Sequence, residues 1–461
     1  MASPIAETRI WRSRSDLARF VADLNEWREK RLLVDPFRST LDALHKELTA
    51  TATKLSEYLD GPTATIGEAF EKGTRFDTAL GWLRRVFAFF RDRFDQRNGT
   101  YGTALRAADE VIWSSLRACA AARDEPAPVA YIDAQYSPAA FRRDRSLAAL
   151  VDRGSGFEFL REYLRTLPIP VLRLPMLAID APWALVVIGH EIGHFVQTVV
   201  GANYDKTFEA LVGEVAKAAG ASVDEIKAWQ DCSAEIFADW YSIGVMGPWA
   251  LWAMAQFEIA TDATMRQRRT LSGYPSAIVR LDLLRRLADA YSPPGRKLGT
   301  EVAQTLEVSL DPAADATVEE QRDRTVAKAV ADRLATEPLG AAGKFDVALK
   351  FNAAVYADGG DVALWAGALS GKNGRVPLKK IWEARYIAAA SAKVVSEKVL
   401  QKDEERVTFR RTFSEKTFGM IAASAVEGTR AANEEEIEIV DPGQRLSSML
   451  LGLGLPAEMP S

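Results

Sequence analysis

The chain has 461 residues, of which 48% are hydrophobic and 26% are charged, and its formal net charge at pH 7 is −5. The length allows two or three domains, and the composition is ordinary for a globular protein. The negative net charge excludes the overall basic character typical of nucleic-acid-binding proteins, so we expect no nucleic-acid partner.

Cysteine content and hydropathy bear on the cellular location. Cys119 and Cys232 are the two cysteines, too few for a disulfide framework, which favours a reducing compartment. The first residues lack the apolar core of a signal peptide. The most apolar stretches are residues 181–200, which contain histidines, and residues 243–257, which are broken at Gly247 and fall short of the roughly 20 apolar residues of a membrane span. We therefore expect a cytoplasmic protein without membrane association.

Residues 1–123 are predicted to form a helical N-terminal region. Residues 15–60 indicate a pair of helices broken near Asp35 and Pro36, and residues 67–122 indicate two more. In the second pair, large apolar residues recur mostly on one helix face: Trp82, Val86, Phe89, Phe90 and Phe94. His45 lies in an amphipathic segment of the first pair, and we expect it to be an exposed or half-buried helix residue rather than a metal ligand.

The second predicted region, residues 124–292, opens with two strand candidates. One is the short run Val129 to Ile132. The other is residues 167–175, where proline and branched apolar residues indicate an irregular extended strand. Proline confines such a strand to the edge of a sheet. A plain connecting segment is the alternative interpretation.

A metal-binding pattern follows at His190-Glu191-Ile192-Gly193-His194. Two histidines four residues apart lie on one face of a helix and can reach one metal ion, and the glutamate beside the first can hold a water molecule at that ion. Asp180 is a candidate N-cap for this helix, Pro182 fits its first turn and Gly201 is a candidate C-cap. The alternative, an ordinary core helix, would bury two histidines and a glutamate without partners, which is costly.

A catalytic zinc ion takes three protein ligands and keeps one position open. The candidate for the third ligand is Glu235, which shares a helix face with Asp239. Asp239 could accept a hydrogen bond from a ligand histidine and orient its ring. A capping box at Ser222 to Glu225 and a stop at Gly247-Pro248 delimit the helical region. A solvated acidic pair is the alternative interpretation.

The two motifs together, H-E-x-x-H followed by Glu235-Ile236-Phe237-Ala238-Asp239, resemble those of the gluzincin metallopeptidases. The resemblance covers about residues 170–290. It implies that His190, His194 and Glu235 bind Zn²⁺, that Glu191 is the general base, and that Asp239 supports a ligand histidine. It also implies that a strand beside the metal helix, here residues 167–175, pairs with the substrate backbone.

A third segment, Tyr274-Pro275 followed by Arg280, is similar to the His-Pro-x-x-x-x-Arg stretch of the integral-membrane prenyl-protein proteases. Tyrosine replaces the histidine in this chain. The resemblance implies that Tyr274 or Arg280 donates a hydrogen bond to the oxyanion of a tetrahedral intermediate. An ordinary turn and helix start is the alternative. Tyr241 is a further candidate, which we expect instead in the core.

Residues 293–461 are predicted to form a helical C-terminal region, separated from the second region by Ser292 to Gly295. Residues 300–400 have helical patterns with a break at Asp358 to Gly360. From Glu434 onward, an acidic run and an apolar tail with glycine and proline indicate a weakly ordered end or a segment that packs onto a partner. We hypothesise that the helical flanks gate a cleft or bind a regulatory protein.

Together these patterns predict a mainly α protein, with an α+β zincin-like catalytic core, a small edge sheet and helical flanks. The favoured function is a zinc endopeptidase that acts on protein or peptide substrates. Two alternatives stay open: a zinc hydrolase of a non-protein amide or small peptide, and a helical interaction protein with an inactive metal site.

Overall fold

The computed structural model of the protein describes residues 4–31, 37–123, 125–134, 139–141, 170–267, 276–372, 383–398, 403–424 and 441–452. The mainly α class is confirmed, because helices account for most of these residues and strands for few. The chain divides into two compact units. Unit 1 consists of Met1–Gln96, Phe141–Val171 and Glu427–Ser461, and unit 2 of Arg97–Ala140 and Leu172–Val426.

The regular elements of the described residues are as follows. The α-helices are α1 (Pro4–Arg31), α2 (Arg38–Asp60), α3 (Ile66–Asp95), α4 (Gly102–Leu116), α5 (Ile188–Val196), α6 (Tyr204–Ala218), α7 (Val223–Asp231), α8 (Ser233–Met246), α9 (Trp249–Glu258), α10 (Asp262–Arg266), α11 (Ala277–Ala290), α12 (Leu298–Ala303), α13 (Val318–Leu334), α14 (Phe345–Ala348), α15 (Asp361–Leu369), α16 (Glu383–Ser396), α17 (Asp403–Ala423) and α18 (Gln444–Gly452). The strands are β1 (Val129–Asp133), β2 (Ala139–Phe141) and β3 (Val171–Pro175). Short 3-10 helices are Gln96–Asn98, Ala120–Ala122, Met176–Ile179, Pro182–Val187, Gln304–Leu306, Gly340–Ala342 and Ala353–Tyr356.

Unit 1 contains the predicted N-terminal helical pair, α1 and α2, together with α3. Aromatic residues of α1 and α3 meet edge to face, with the Trp27 ring centroid 5.4 Å from that of Phe87 and 5.9 Å from that of Phe94. Such pairs add to the stabilisation from the buried area. His45 is half-buried on α2 as expected, and its Nε2 lies 2.7 Å from Oδ1 of Asn25.

The prediction of a weakly ordered C-terminal tail is wrong for residues 444–452, which form helix α18. Leu446 and Leu450 are buried, four residues apart on one face, and the helix packs against α2 and α3. The backbone amide of Gly443 donates to Glu47 Oε2 over 2.7 Å, and its φ of +74° suits glycine. The tertiary contact orders a segment too short to form a stable helix alone. The acidic run, residues 434–436, and the last nine residues lie outside the described residues.

The two predicted strands, β1 and β3, form one small sheet with a third strand that was not predicted, β2, in the order β1-β3-β2. β1 confirms the strand predicted at Val129 to Ile132. β3 confirms an extended segment within residues 167–175, but its predicted edge position is wrong because it pairs on both sides. Pro170 precedes β3 and Pro175 ends it, so the prolines flank the strand and leave the amides between them able to pair. Pairing of a substrate backbone directly to β3 is therefore contradicted.

The helices of unit 2 do not follow the predicted borders at residues 123/124 and 292/293. α13, beyond the second border, packs against α11 and α6, and α16 packs against α4. Helices from different predicted regions therefore pack together within unit 2. The independent folding of any predicted region stays a prediction. The break expected at Asp358 to Gly360 is present between a 3-10 helix and α15, with Gly359 at a φ of +79°. Searched over the described residues, none of the helices combines the length and apolar character of a membrane span.

Helix α5, which carries the H-E-x-x-H motif, packs extensively against α8, which carries Glu235. A Cβ atom added to Gly193 of α5 would lie 2.7 Å from the Cα of Ala238. One added to Gly189 would lie 2.7 Å from Cγ of Met246, a flexible side chain. The two glycines, four residues apart on the helix, form a flat face that allows the two backbones to approach.

We predict that Gly193→Ala lowers the free energy of unfolding by about 1–3 kcal/mol, because the added methyl group would meet backbone that cannot yield without moving a helix. Gly419→Ala is the matched control. Gly419 lies exposed on α17 with no atom within 4 Å of the added Cβ, so this change should raise stability by about 0.5–1 kcal/mol. Urea unfolding followed by tryptophan fluorescence measures both. Equal effects of the two substitutions would contradict the close approach.

Candidate metal centre

Helix α5 carries the three polar residues of the first motif: His190, Glu191 and His194. Pro182 takes the first position of the preceding 3-10 helix, as expected for a residue without an N–H. The predicted N-cap is wrong: Ala181 precedes the helix without a side-chain cap, and the Asp180 carboxylate instead pairs with Arg410. The predicted end at Gly201 is also wrong, because α5 ends at Val196 and residues 197–199 form turns.

Helix α8 carries Glu235 and Asp239. The capping box predicted at Ser222 to Glu225 is present, and it starts α7, the helix before α8. The predicted stop is confirmed at Gly247, whose φ is +64°. A Cβ atom at Gly247 would clash with the Tyr356 ring. Glycine therefore allows the positive φ angle that ends the helix and also leaves space for the Tyr356 side chain. The capping box and Gly247 thus mark the start and the end of the helical region that contains Glu235.

The packing of α5 on α8 brings His190, His194 and Glu235 together. Nε2 of His190 lies 3.2 Å from Oε2 of Glu235, and Nε2 of His194 lies 3.3 Å from Oε1. One ligand atom from each residue lies within 4.8 Å of the other two. In the part of the chain that the structure describes, this is the one group of three or more such residues close enough for a metal ion.

The donor set fits a zinc ion. Two imidazole nitrogens and one carboxylate oxygen are a ligand set of catalytic zinc, and donors at zinc–ligand distances of 2.0–2.1 Å in a tetrahedron lie about 3.3 Å apart. Each histidine nitrogen lies near that spacing from one of the two oxygens of Glu235, at 3.2 and 3.3 Å. The site also opens to one side, since the side chain of Glu235 is 32% exposed and that of His190 is 6% exposed.

The charges of the group are strongly coupled. Burial disfavours the protonated ring of His190, but hydrogen bonds to Asp239 and Glu235 outweigh burial and raise its pKa to about 10. Burial also raises the pKa of the Glu235 carboxyl, and the charges and hydrogen bonds of the two histidines reverse this effect, so its pKa lies well below the usual value. Glu235 is therefore a carboxylate at neutral pH, the form that binds a cation.

Asp239 orients one of the histidine rings. Oδ1 of Asp239 lies 2.8 Å from Nδ1 of His190, and the carboxylate is fully buried. The Nδ1–H donates to Asp239, so a metal ion that replaces the Nε2 proton would find the ring already oriented, with Nε2 facing Glu235. Burial raises the pKa of the Asp239 carboxyl, and the positive charge of Arg280 and the His190 hydrogen bond lower it below the usual value overall.

Arg280 holds the Asp239 carboxylate through two hydrogen bonds. Its Nε donates to Oδ2 over 3.0 Å and its Nη2 to Oδ1 over 2.9 Å, while Nη1 donates to Oε1 of Glu258 over 2.8 Å. These are the contacts of a positioning residue. The direct oxyanion role, predicted for Tyr274 or Arg280, stays a prediction, and Tyr274 lies outside the described residues.

Glu258 is a residue of the site that sequence reasoning missed. It is buried at the C-terminal end of α9, after an apolar run, and it shares Arg280 with Asp239. The available signal was an acidic residue at the end of the apolar helix α9, together with an arginine among the apolar residues that begin α11. Buried charges of this kind are paired, so each implied a partner.

The other candidates occupy distinct places. Glu191 is buried beside His190 on α5. Tyr241 is in the core as expected, and its hydroxyl donates to the carbonyl of Ser115 over 2.8 Å. Cys232 is buried too, and its thiol donates to the carbonyl of Ala228 over 2.9 Å. Neither Tyr241 nor Cys232 belongs to the metal-binding group found among the described residues.

We predict that the purified protein carries about one zinc ion per chain and that Glu235→Ala abolishes most of this binding, because two histidines alone leave a catalytic-type site without its third ligand. Inductively coupled plasma mass spectrometry measures the metal content. Glu214→Ala, at an exposed glutamate of α6, is the control and should keep its zinc. Zinc content unchanged in the Glu235 variant would refute the assigned ligand.

We predict that Asp239→Asn weakens zinc affinity by about 10–100-fold, because the neutral amide no longer raises the basicity of His190 or fixes its tautomer. Competition with a chromophoric chelator measures the dissociation constant. Asp282→Asn is the matched control, since Asp282 is a fully buried carboxylate on α11 that pairs with Arg285 and Arg286. A similar loss of affinity in both variants would mean that the effect of Asp239 is general destabilisation.

Comparison with known proteins gives no family assignment. A scan against models of protein families, a search of curated proteins and a search of solved structures each found no match. The candidate metal centre is therefore described by its residues and distances alone.

Proposed function

We propose that the protein is a zinc-dependent endopeptidase of the gluzincin type. The observation that carries the proposal is the convergence of His190, His194 and Glu235, with ligand atoms within 4.8 Å of one another, on two helices that also carry Glu191 and Asp239. When bound, the zinc ion supplies Lewis acidity and lowers the pKa of a water molecule towards neutrality.

The protein side chains have separate tasks in this proposal. Glu191 accepts a proton from the attacking water and passes it to the leaving amine. His190, His194 and Glu235 hold the metal, and Asp239 keeps the His190 ring in the required tautomer. Arg280 holds the Asp239 carboxylate in place through two hydrogen bonds.

A catalytic role is favoured over a structural one by the number of ligands. Structural zinc sites fill four positions with protein ligands, whereas catalytic sites use three and leave one open. The group among the described residues has three members, and it is partly exposed on the side of Glu235. This arrangement supports an enzyme rather than an interaction protein with an inactive site.

The substrate class and location are parts of the same proposal. We propose a protein or peptide substrate, because this chemistry serves amide hydrolysis, and a cytoplasmic location, because both cysteines are buried thiols without a disulfide between them. A regulatory protein partner for the helical flanks remains a hypothesis.

We predict that Glu191→Gln keeps its zinc and loses about 10²–10⁴-fold in kcat/KM, since glutamine can hold a water molecule but cannot take its proton. Hydrolysis of an unfolded, fluorescently labelled protein measures turnover, with metal content measured on the same sample. Glu214→Gln is the exposed control. Near wild-type cleavage by the Glu191 variant would exclude the general-base role.

The same assay separates the proposed function from its alternatives. Cleavage of dipeptides or simple amides with no cleavage of the unfolded protein would replace the endopeptidase by a small-amide hydrolase. Stoichiometric zinc without hydrolysis of any of these substrates would point to an inactive site.

A further inference from the structure

Unit 2 contains a buried arginine whose charge is not balanced by any carboxylate that the structure describes. Arg385, on α16, is 3% exposed. Its Nη2 donates to the Tyr386 hydroxyl over 2.9 Å, but its Nε and Nη1 are buried without a hydrogen-bond partner. Among the described residues, no carboxylate forms an ion pair with it. A buried guanidinium in this state is strongly unfavourable.

Three other buried arginines of unit 2 are paired with acids, whereas a fourth, Arg117, donates to the backbone carbonyls of Ala122 and Glu125. Arg97 contacts Asp109 at 2.7 Å, and Arg324 contacts Glu320 at 2.9 Å. Arg280 is shared between two carboxylates in the metal centre. The fold therefore balances a buried guanidinium with a negative partner at each of these three places, and Arg385 differs from them in its surroundings.

Tyrosine hydroxyls surround Arg385, and they do not supply the missing negative charge. Tyr241, Tyr356 and Tyr386 are close enough to act on it electrostatically. Burial raises the pKa of Tyr241 and of Tyr356 well above the usual value, so both stay neutral. Their hydroxyls donate to backbone carbonyls, that of Tyr241 over 2.8 Å and that of Tyr356 over 3.0 Å. The guanidinium also lies 4.8 Å from the Tyr386 ring centroid, a contact that offsets a charge only in part.

The helices packed against α16 add further donors without acceptors. The Ser115 hydroxyl on α4, the Trp249 indole on α9 and the Trp365 indole on α15 are buried, and none has a hydrogen-bond partner among the described residues. Each of these helices packs against α16. An indole N–H can only donate, and so can a guanidinium. Several donors on α16 and on the helices packed against it are therefore buried without an acceptor, and Arg385 is the charged one among these four residues.

We propose that unit 2 binds a small monovalent inorganic anion, of which chloride is the probe, at Nε and Nη1 of Arg385. Such an ion accepts hydrogen bonds from several directions and neutralises the guanidinium. A buried water molecule could accept the hydrogen bonds but would leave the charge unbalanced. The inference does not depend on the proposed peptidase activity.

The position of this anion site links it to the metal centre through one helix. Tyr241, which neighbours Arg385, lies on α8 two residues after Asp239. Its Cβ lies 3.0 Å from the position of a Cβ added to Gly193 of α5. The anion therefore supports the side of α8 that packs beneath the metal-binding helix.

The first test compares thermal unfolding in sodium chloride and in sodium gluconate at constant ionic strength. An ion that binds only the folded state should raise the Tm by about 2 °C for each tenfold increase above its Kd. The Tm of Arg385→Met should not depend on chloride. Arg97→Met, which removes a buried arginine with its own carboxylate partner, should be less stable yet keep the chloride response. Equal Tm values of the wild type in the two salts would overturn the proposal.

The second test needs no variant. Crystals of the full chain grown with sodium bromide should show an anomalous peak at hydrogen-bonding distance from Nε or Nη1 of Arg385. Ordered water alone, or a carboxylate of the chain itself, at this place would overturn the proposal.

Discussion

The close contact between α5 and α8 is the constraint on which the candidate metal centre depends. The two histidines lie on α5 and the third proposed ligand, Glu235, lies on α8, so the three side chains meet only when these helices pack closely. Gly189 and Gly193 remove the side chains on the contact face, and Ala238 keeps the opposite face small. Glu235 can then reach both histidines at 3.2 and 3.3 Å. The geometry of the proposed ligands therefore depends directly on how closely α5 and α8 pack.

A chain of alternating charges continues from this contact into the core. His190 contacts Asp239, Asp239 contacts Arg280, and Arg280 contacts Glu258. Each member would be costly to bury alone, and each is satisfied by its neighbours. The chain joins α5, α8, α11 and α9, so a displacement of any of these helices would break a buried ion pair. The orientation of one metal ligand is thereby tied to the packing of four helices.

Local sequence signals predicted the parts of the site that depend on spacing along a helix. Residues four apart share a face, which placed His190 with His194 and Glu235 with Asp239. Gly247 and the capping box at Ser222 were equally local. The partnership of Arg280 with Glu258 was not predictable in this way, because it joins two helices through tertiary packing. The position of β3 in the sheet and the role of Asp180 likewise depend on residues distant in the sequence, namely the neighbouring strands and Arg410.

The charge of the site also argues for a divalent cation. Glu235, Asp239 and Glu258 are three carboxylates, and the Arg280 guanidinium pairs with all three, at 3.8, 2.9 and 2.8 Å. In the proposed metal-bound state both histidines are neutral ligands, and these four groups then carry two negative charges, which a divalent ion would balance. Glu191 adds one more carboxylate on α5, and it is the group to which a proton is assigned during hydrolysis. In the proposed metal centre, Arg280 therefore offsets the negative charge of Asp239 and Glu258, the two carboxylates outside the proposed ligand set.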